Sequence, residues 1–233
     1  MTASFSSFKS GPAGGITTLQ KDHHPANYGV LLFPGFQALD AFGPLDALNF
    51  LSRRTRINCS VIAPTLDPVS TIDPAAPQTI GQHVVPTHSL SHLPEDLEVL
   101  LVPGGRGTRQ IQPTECIVEC LRQTYPRLRY LLTVCTGSSL AARAGILDGK
   151  KATSNALEFE WVMDCGKKVD WIPSARWVTD GNIWTSSGVS AGIDMMYAFI
   201  AKVYGPKVAE DIARQSEYVR NLDPTNDPFA HSI

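Results

Sequence analysis

Long apolar runs are missing from this 233-residue sequence. None approaches the roughly 20 residues needed to cross a bilayer, so no membrane-spanning helix is expected. Neither sign of charge dominates: 20 basic and 22 acidic residues leave a net charge of −2. That balance offers no electrostatic basis for binding nucleic acid or an anionic membrane surface. Charged residues are sparse at 18%, against 43% apolar, which favours a sizeable core and excludes global disorder. Cysteines are few, odd in number and irregularly spaced: Cys59, Cys116, Cys120, Cys135 and Cys165. With no basic stretch leading into an apolar one at the N-terminus, free thiols in a reducing, cytoplasmic setting are expected rather than a disulfide framework. Cys116 and Cys120 stand four apart, but no His or Cys cluster completes a zinc set. No internal repeat is visible.

What is present is alternation. Residues 1–26, rich in Ser, Gly, Thr and His, read as a flexible N-terminal tail; they lack the Arg that a transit peptide usually carries. Residues 27–233 read as one α/β domain. Short apolar runs of buried-strand length stand at Tyr28–Phe33, Ile57–Ala63, Leu97–Val102 and Tyr130–Val134. Shorter strands are expected at Lys151–Ser154, Val169–Ile172, Arg176–Thr179 and Ile183–Ser186, and a strand pair within Ile80–Val85. Helices are expected from about Pro44, from Pro113 to Thr124, from Gly137 to Ala144 with Gly145 as its stop, and over Leu157–Cys165. The longest is expected over Val189–Tyr204, and a last one ends near Arg220. This order predicts a three-layer, flavodoxin-like sandwich with a mostly parallel sheet covered on both faces.

Cys135 ends the Tyr130–Val134 strand and precedes Thr136-Gly-Ser-Ser-Leu140, which opens a helix. A nucleophile on such a turn sits at the carboxyl edge of the sheet, where open α/β folds bind ligands. The helix start behind it predicts a lowered thiol pKa. The plainer alternative is a small cysteine packed at a strand end.

Four segments stand out together: the strand–Cys135–Thr136–Gly137–helix elbow, Val102-Pro-Gly-Gly105, Phe33-Pro-Gly35 with Leu39-Asp-Ala-Phe-Gly-Pro44, and Asp180-Gly-Asn182 through Gly192-Ile-Asp194. In this order and spacing they resemble the DJ-1/PfpI superfamily. The resemblance spans about residues 28–220. Cys-Thr-Gly and the aspartate of Leu-Asp-x-x-Gly-Pro most resemble the isocyanide hydratase branch. The protease-like branch carries Cys-His-Gly, and many relatives carry a glutamate on the first helix; this chain departs from both patterns. The resemblance also implies a homodimer.

A Cys–His nucleophile needs an imidazole within reach. His23 and His24 fall in the tail, His231 near the C-terminus, and His83, His88 and His92 in the hairpin-like region; Asn155 stands where relatives often carry His. A remote His can still fold into a site. Asp40, between the first strand and first helix, falls at the same sheet edge as Cys135 in a parallel topology. An Asp before a helix is also an ordinary N-cap, and Asp46 is a rival acid. The resemblance assigns Asp40 as the acid facing Cys135. A carboxylate beside a thiolate is unfavourable, so the pair would share one proton and titrate as a unit. Gly104-Gly105-Arg106 ends another strand at that edge, and glycines there let the chain aim amides at developing negative charge. The resemblance carries this anion-stabilising role to the backbone of Gly105, Arg106 and Thr136. Trp161, Trp171, Trp177 and Trp184 are candidates to line a pocket, while Met195, Met196 and Tyr197 read as packing.

The resemblance thus implies hydration of an isocyanide to an N-substituted formamide by Cys135, Asp40 and Thr136, a small-molecule reaction without metal or organic cofactor. Two alternatives use the same cysteine: a glyoxalase-like hydratase of 2-oxoaldehydes, and a non-catalytic redox or small-molecule sensor.

Overall fold

The apolar runs become strands because each is buried on both sides. β1 (Asn27–Leu31), β6 (Val99–Val102), β7 (Tyr130–Val134) and β11 (Ile183–Ser186) are nearly continuous in buried residues, the pattern of a sheet covered on both faces. A computed structural model describes residues 24–230 of the chain; all but the last three residues of the expected tail lie outside that range. The other strands are β2 (Asn58–Ala63), β3 (Val69–Ser70), β4 (His83–Val84), β5 (His88–Ser89), β8 (Lys151–Ala152), β9 (Asp170–Trp171) and β10 (Trp177–Asp180). Seven of the strands form one sheet in the order β10-β11-β7-β6-β1-β2-β5. All neighbours in it are parallel except β10 and β11, which form a hairpin.

The helices are α1 (Ala38–Ser52), α2 (Ile111–Thr124), α3 (Gly137–Arg143), α4 (Phe159–Cys165), α5 (Ser190–Tyr204) and α6 (Pro206–Gln215). They form two groups that flank the sheet: α1, α5 and α6 pack together, and so do α2, α3 and α4. The three-layer sandwich is the architecture that the alternation predicts. The chain runs from β1 outwards through β2, then returns to lay β6 on the other side of β1. The loops after β1 and β6 therefore flank the point where strand order reverses, the usual ligand crevice of open α/β sheets.

Four expectations need correction. The first helix starts at Ala38, six residues before Pro44, which lies inside it. Proline fixes a helical φ but has no N–H, so it stays in the helix at the cost of the bond to the Asp40 carbonyl. The last helix stops at Gln215 rather than near Arg220, and residues 216–230 continue without helix. Within Ile80–Val85 only His83 and Val84 form strand, paired with Val69 and Ser70. In addition α5, with 15 residues, only equals α1 in length. Among the described residues no helix is long and apolar enough to cross a membrane.

Candidate active site

The loops that leave β1, β6, β7 and β11 meet at one edge of the sheet. Cys135, the residue after β7, has φ of 56°, a left-handed conformation that is unfavourable for a non-glycine residue. Its backbone is held there from both sides. The Cys135 amide donates to the Ser186 carbonyl at 3.1 Å. Its carbonyl accepts from the Ser154 hydroxyl at 2.9 Å and from Ser138 at 3.1 Å. The thiol is turned back into the crevice and is almost entirely buried.

Asp40 occupies the first turn of α1 and is fully buried. It does not cap the helix. Its Oδ2 accepts from the Gly104 amide at 3.0 Å, which ties α1 to the loop after β6. Its Oδ1 completes no hydrogen bond of ordinary geometry, yet the Cys135 thiol lies close enough for the two groups to act on each other's ionisation. Burial raises Asp40 to about 7, against the Gly104 amide and the Cys135 thiol, which both favour the carboxylate. Burial, followed by the Asp40 charge, pushes the Cys135 thiol up to about 12, although the amides of Thr136 and Val189 point at the sulfur and favour thiolate. This overturns the lowered thiol pKa expected from the helix start: loss of water outweighs two amides and a seven-residue helix. Burial thus favours the protonated thiol, with the Asp40 carboxyl beside it.

Thr136 joins the two loops. Its hydroxyl accepts from the Gly105 amide at 3.0 Å and from the Thr108 hydroxyl at 3.1 Å. Gly105 is therefore corrected in one respect: its amide is already bonded to Thr136 and is not a free donor for a developing anion. Its backbone is nevertheless necessary, because φ is 126° and a Cβ there would sit 2.4 Å from the Gln37 nitrogen. At Gly104 a Cβ would come within 2.6 Å of the Thr136 nitrogen. Both glycines let the β6 loop lie against the nucleophile.

The thiol opens into a cavity of about 190 Å³ lined by Gln37, Gly105, Arg106, Arg109, Cys135, Thr136, Asn155, Glu158 and Val189. Arg106 thus reaches the site, and its guanidinium faces Asp73 at 3.8 Å and Glu158 at 3.4 Å across the rim. Arg109 pairs with the same Glu158. Among the described residues no histidine lines this cavity. His88 and His92 bond hydroxyls of their own neighbourhood, His83 is exposed on β4, and His23 and His231 lie outside the described residues. Among the described residues no group of three His, Cys, Asp or Glu side chains is placed to hold a metal ion.

The DJ-1/PfpI family model matches residues 28–202. The chain belongs to the DJ-1/PfpI family. Relatives of this DJ-1/PfpI chain differ in activity. It is 32% identical to the isonitrile hydratase of Pseudomonas putida over 82% of its own length and 77% of that protein. It is 32% identical to a deglycase of Pyrococcus horikoshii over 43% of its length and 58% of the deglycase. A helix-turn-helix transcriptional regulator of Pseudomonas aeruginosa is 25% identical over 81% of the chain and 54% of the regulator. Among solved structures, a ThiJ/PfpI family protein from Pseudomonas syringae superposes with a TM-score of 0.72 at 28% identity. That match covers 90% of this chain and 83% of the other.

In this DJ-1/PfpI chain the fold brings all five anticipated residues together: Cys135, Asp40, Thr136, Gly105 and Arg106. Asp46 is on the exposed side of α1. None of the four tryptophans lines the thiol cavity; Trp177 and Trp184 are core, and Trp161 lies beneath the Arg109 guanidinium at 4.8 Å. Sequence reading missed Val189, whose φ of 28° turns its amide towards the sulfur. Its signal was position, since it follows β11, the strand next to β7. It also missed Gln37, Arg109 and Glu158, for which only the charge pattern near Arg106 offered a hint.

Proposed function

We propose that the protein is a cysteine-dependent hydratase that converts an isocyanide, R–N≡C, to the formamide R–NH–CHO. The observation that carries this reading is the buried Cys135–Asp40 pair, with no histidine beside it among the described residues. Besides water, the reaction needs a nucleophile and one proton carrier. Cys135 Sγ bonds to the terminal carbon while its proton passes to Asp40 and from there to that same carbon. The product is a thioimidate, R–N=CH–S–Cys135. Asp40, again a carboxylate, takes a proton from water as the water oxygen adds to the thioimidate carbon. Asp40 passes that proton to the nitrogen, takes the hydroxyl proton as the carbonyl forms and the C–S bond breaks, and returns it to the leaving sulfur. The sum is R–N≡C plus H₂O giving R–NH–CHO.

Each residue has a distinct part. The Thr136 and Val189 amides favour negative charge on sulfur at attack and at departure. Thr136 positions the elbow through its bond to Gly105. Asp40 at about 7 is matched to giving and taking a proton near neutrality. The 32% identity to an isonitrile hydratase over 82% of the chain supports the same reading.

The test is formamide production from an alkyl or aryl isocyanide by the wild type, Cys135→Ser and Asp40→Asn. Turnover by the wild type is expected, with none in Cys135→Ser although the fold and Tm are retained. A wild type inert on every isocyanide but active on methylglyoxal would overturn the proposal in favour of a 2-oxoaldehyde hydratase.

A further inference from the structure

Beside the thiol cavity lies a second recess of about 420 Å³. It is lined by Asn155, Ala156, Leu157, Val189 and Phe229, with small residues of the stretch from β11 into the start of α5. Asn155 and Val189 line both spaces, so the recess adjoins the cavity into which the thiol opens. The two differ in chemistry. The thiol cavity carries Gln37, Arg106, Arg109 and Glu158, whereas among the described residues no charged side chain lines the recess.

Leu157 and Phe229 are 79% and 60% exposed. Large apolar side chains held open on a concave wall gain most when something apolar covers them. The wall is built rather than loose. The Asn155 carboxamide accepts from the Glu158 amide at 2.9 Å and caps the short 3₁₀ turn that carries Leu157. The buried Asp227 carboxylate accepts from the Phe229 amide at 3.1 Å. At the rim of the thiol cavity, Arg106 and Arg109 face Asp73 and Glu158, so the two cations are matched by two anions and no free charge awaits an ionic group.

We infer that this recess receives the substituent R of the substrate, that R is an uncharged apolar group of ring size, and that Leu157 and Phe229 set this specificity. The inference rests on the hydratase reading. A cavity of about 150 Å³ lined by apolar side chains holds benzene, so 420 Å³ accommodates a ring and the atom that links it to nitrogen.

The test compares kcat/KM for methyl isocyanide, benzyl isocyanide and isocyanoacetate in the wild type and in Leu157→Ala/Phe229→Ala. Benzyl isocyanide is expected to be preferred by roughly tenfold or more over the other two. The double variant should lose that preference, its kcat/KM ratio for benzyl over methyl isocyanide falling by roughly tenfold. Equal rates on benzyl and methyl substrates, a preference for the anionic one, or a preference that survives in the double variant would overturn the assignment. A second measurement separates its failure from that of the hydratase reading: calorimetric binding of N-benzylformamide to Cys135→Ser with and without the two wall substitutions. If no isocyanide is turned over, the hydratase reading falls, and this binding still decides the recess. At least tenfold weaker binding in the wall variant supports it, and equal or undetectable binding in both proteins refutes it.

Discussion

Cys135 and Asp40 are two acids confined to one dry space, where burial makes each harder to ionise and the Asp40 charge raises the thiol further. Asp40 sits at about 7 because burial penalises its charge. Its folded pKa lies above the ordinary carboxyl value, so the penalty on stability is full above pH 7 and fades as pH falls towards the unfolded value near 3.8. Asp40→Asn removes that penalty. Its Tm advantage over the wild type should therefore grow from pH 4 to pH 7.5 and then level off, as calorimetric melts at each pH would show. The same substitution should cost roughly 10²-fold or more in formamide production if Asp40 moves protons. A mere helix cap would tolerate it, since Asn caps about as well as Asp. A folded variant with wild-type rate would remove Asp40 from the mechanism. The charge of Asp40 also contributes to the raised thiol. Thiolate absorbance near 240 nm, followed against pH in a form whose other four cysteines are replaced, should thus rise at lower pH in Asp40→Asn than with Asp40 present. An unchanged titration would mean that burial alone holds the thiol up.

At the scale of elements, legibility followed burial. β7 and β11 coincide with the expected Tyr130–Val134 and Ile183–Ser186, because runs buried on both faces have no alternative to an extended apolar pattern. α1 was placed six residues too late because Pro44 suits a first helical turn, whereas the packing of α1 against α5 and α6 keeps proline inside. That shift matters to the site, since it places Asp40 on the helix rather than ahead of it. The β6 loop yields a prediction of its own. Gly105→Ala forces a Cβ into φ of 126° and to 2.4 Å from the Gln37 nitrogen. The backbone strain alone is worth roughly 1–3 kcal/mol, and a lower urea midpoint is expected together with loss of activity, because the Gly105 amide anchors Thr136. An alanine variant of unchanged midpoint would show that the loop has room to relax.

Across the whole molecule, the C-terminal stretch beyond α6 is held by a buried ion pair. The Arg176 Nε donates to Asp194 Oδ2 at 2.8 Å, while Asp194 Oδ1 accepts from the Tyr218 hydroxyl at 3.1 Å and the Asn221 amide at 2.9 Å. Both charged side chains are more than 90% buried. Asp194→Asn leaves Arg176 without its counter-charge and should cost about 3–5 kcal/mol in urea unfolding, with faster proteolytic cleavage near residues 218–227. A loss below 1 kcal/mol would mean that water reaches the pair. The family motif that contains Asp194 was visible in the sequence, but this role was not. The sequence by itself determined the alternation of strands and helices, the turn that carries Cys135 and Thr136, and the glycine loop after β6. All of these depend on residues adjacent in the chain. Only the tertiary structure decided that Asp40 faces the thiol, that Val189 aims its amide at sulfur, and that burial outweighs the helix start in raising the thiol. Those outcomes depend on how much water is excluded where four strand ends meet, and exclusion of water is a property of the assembled sheet and its loops, not of any one segment.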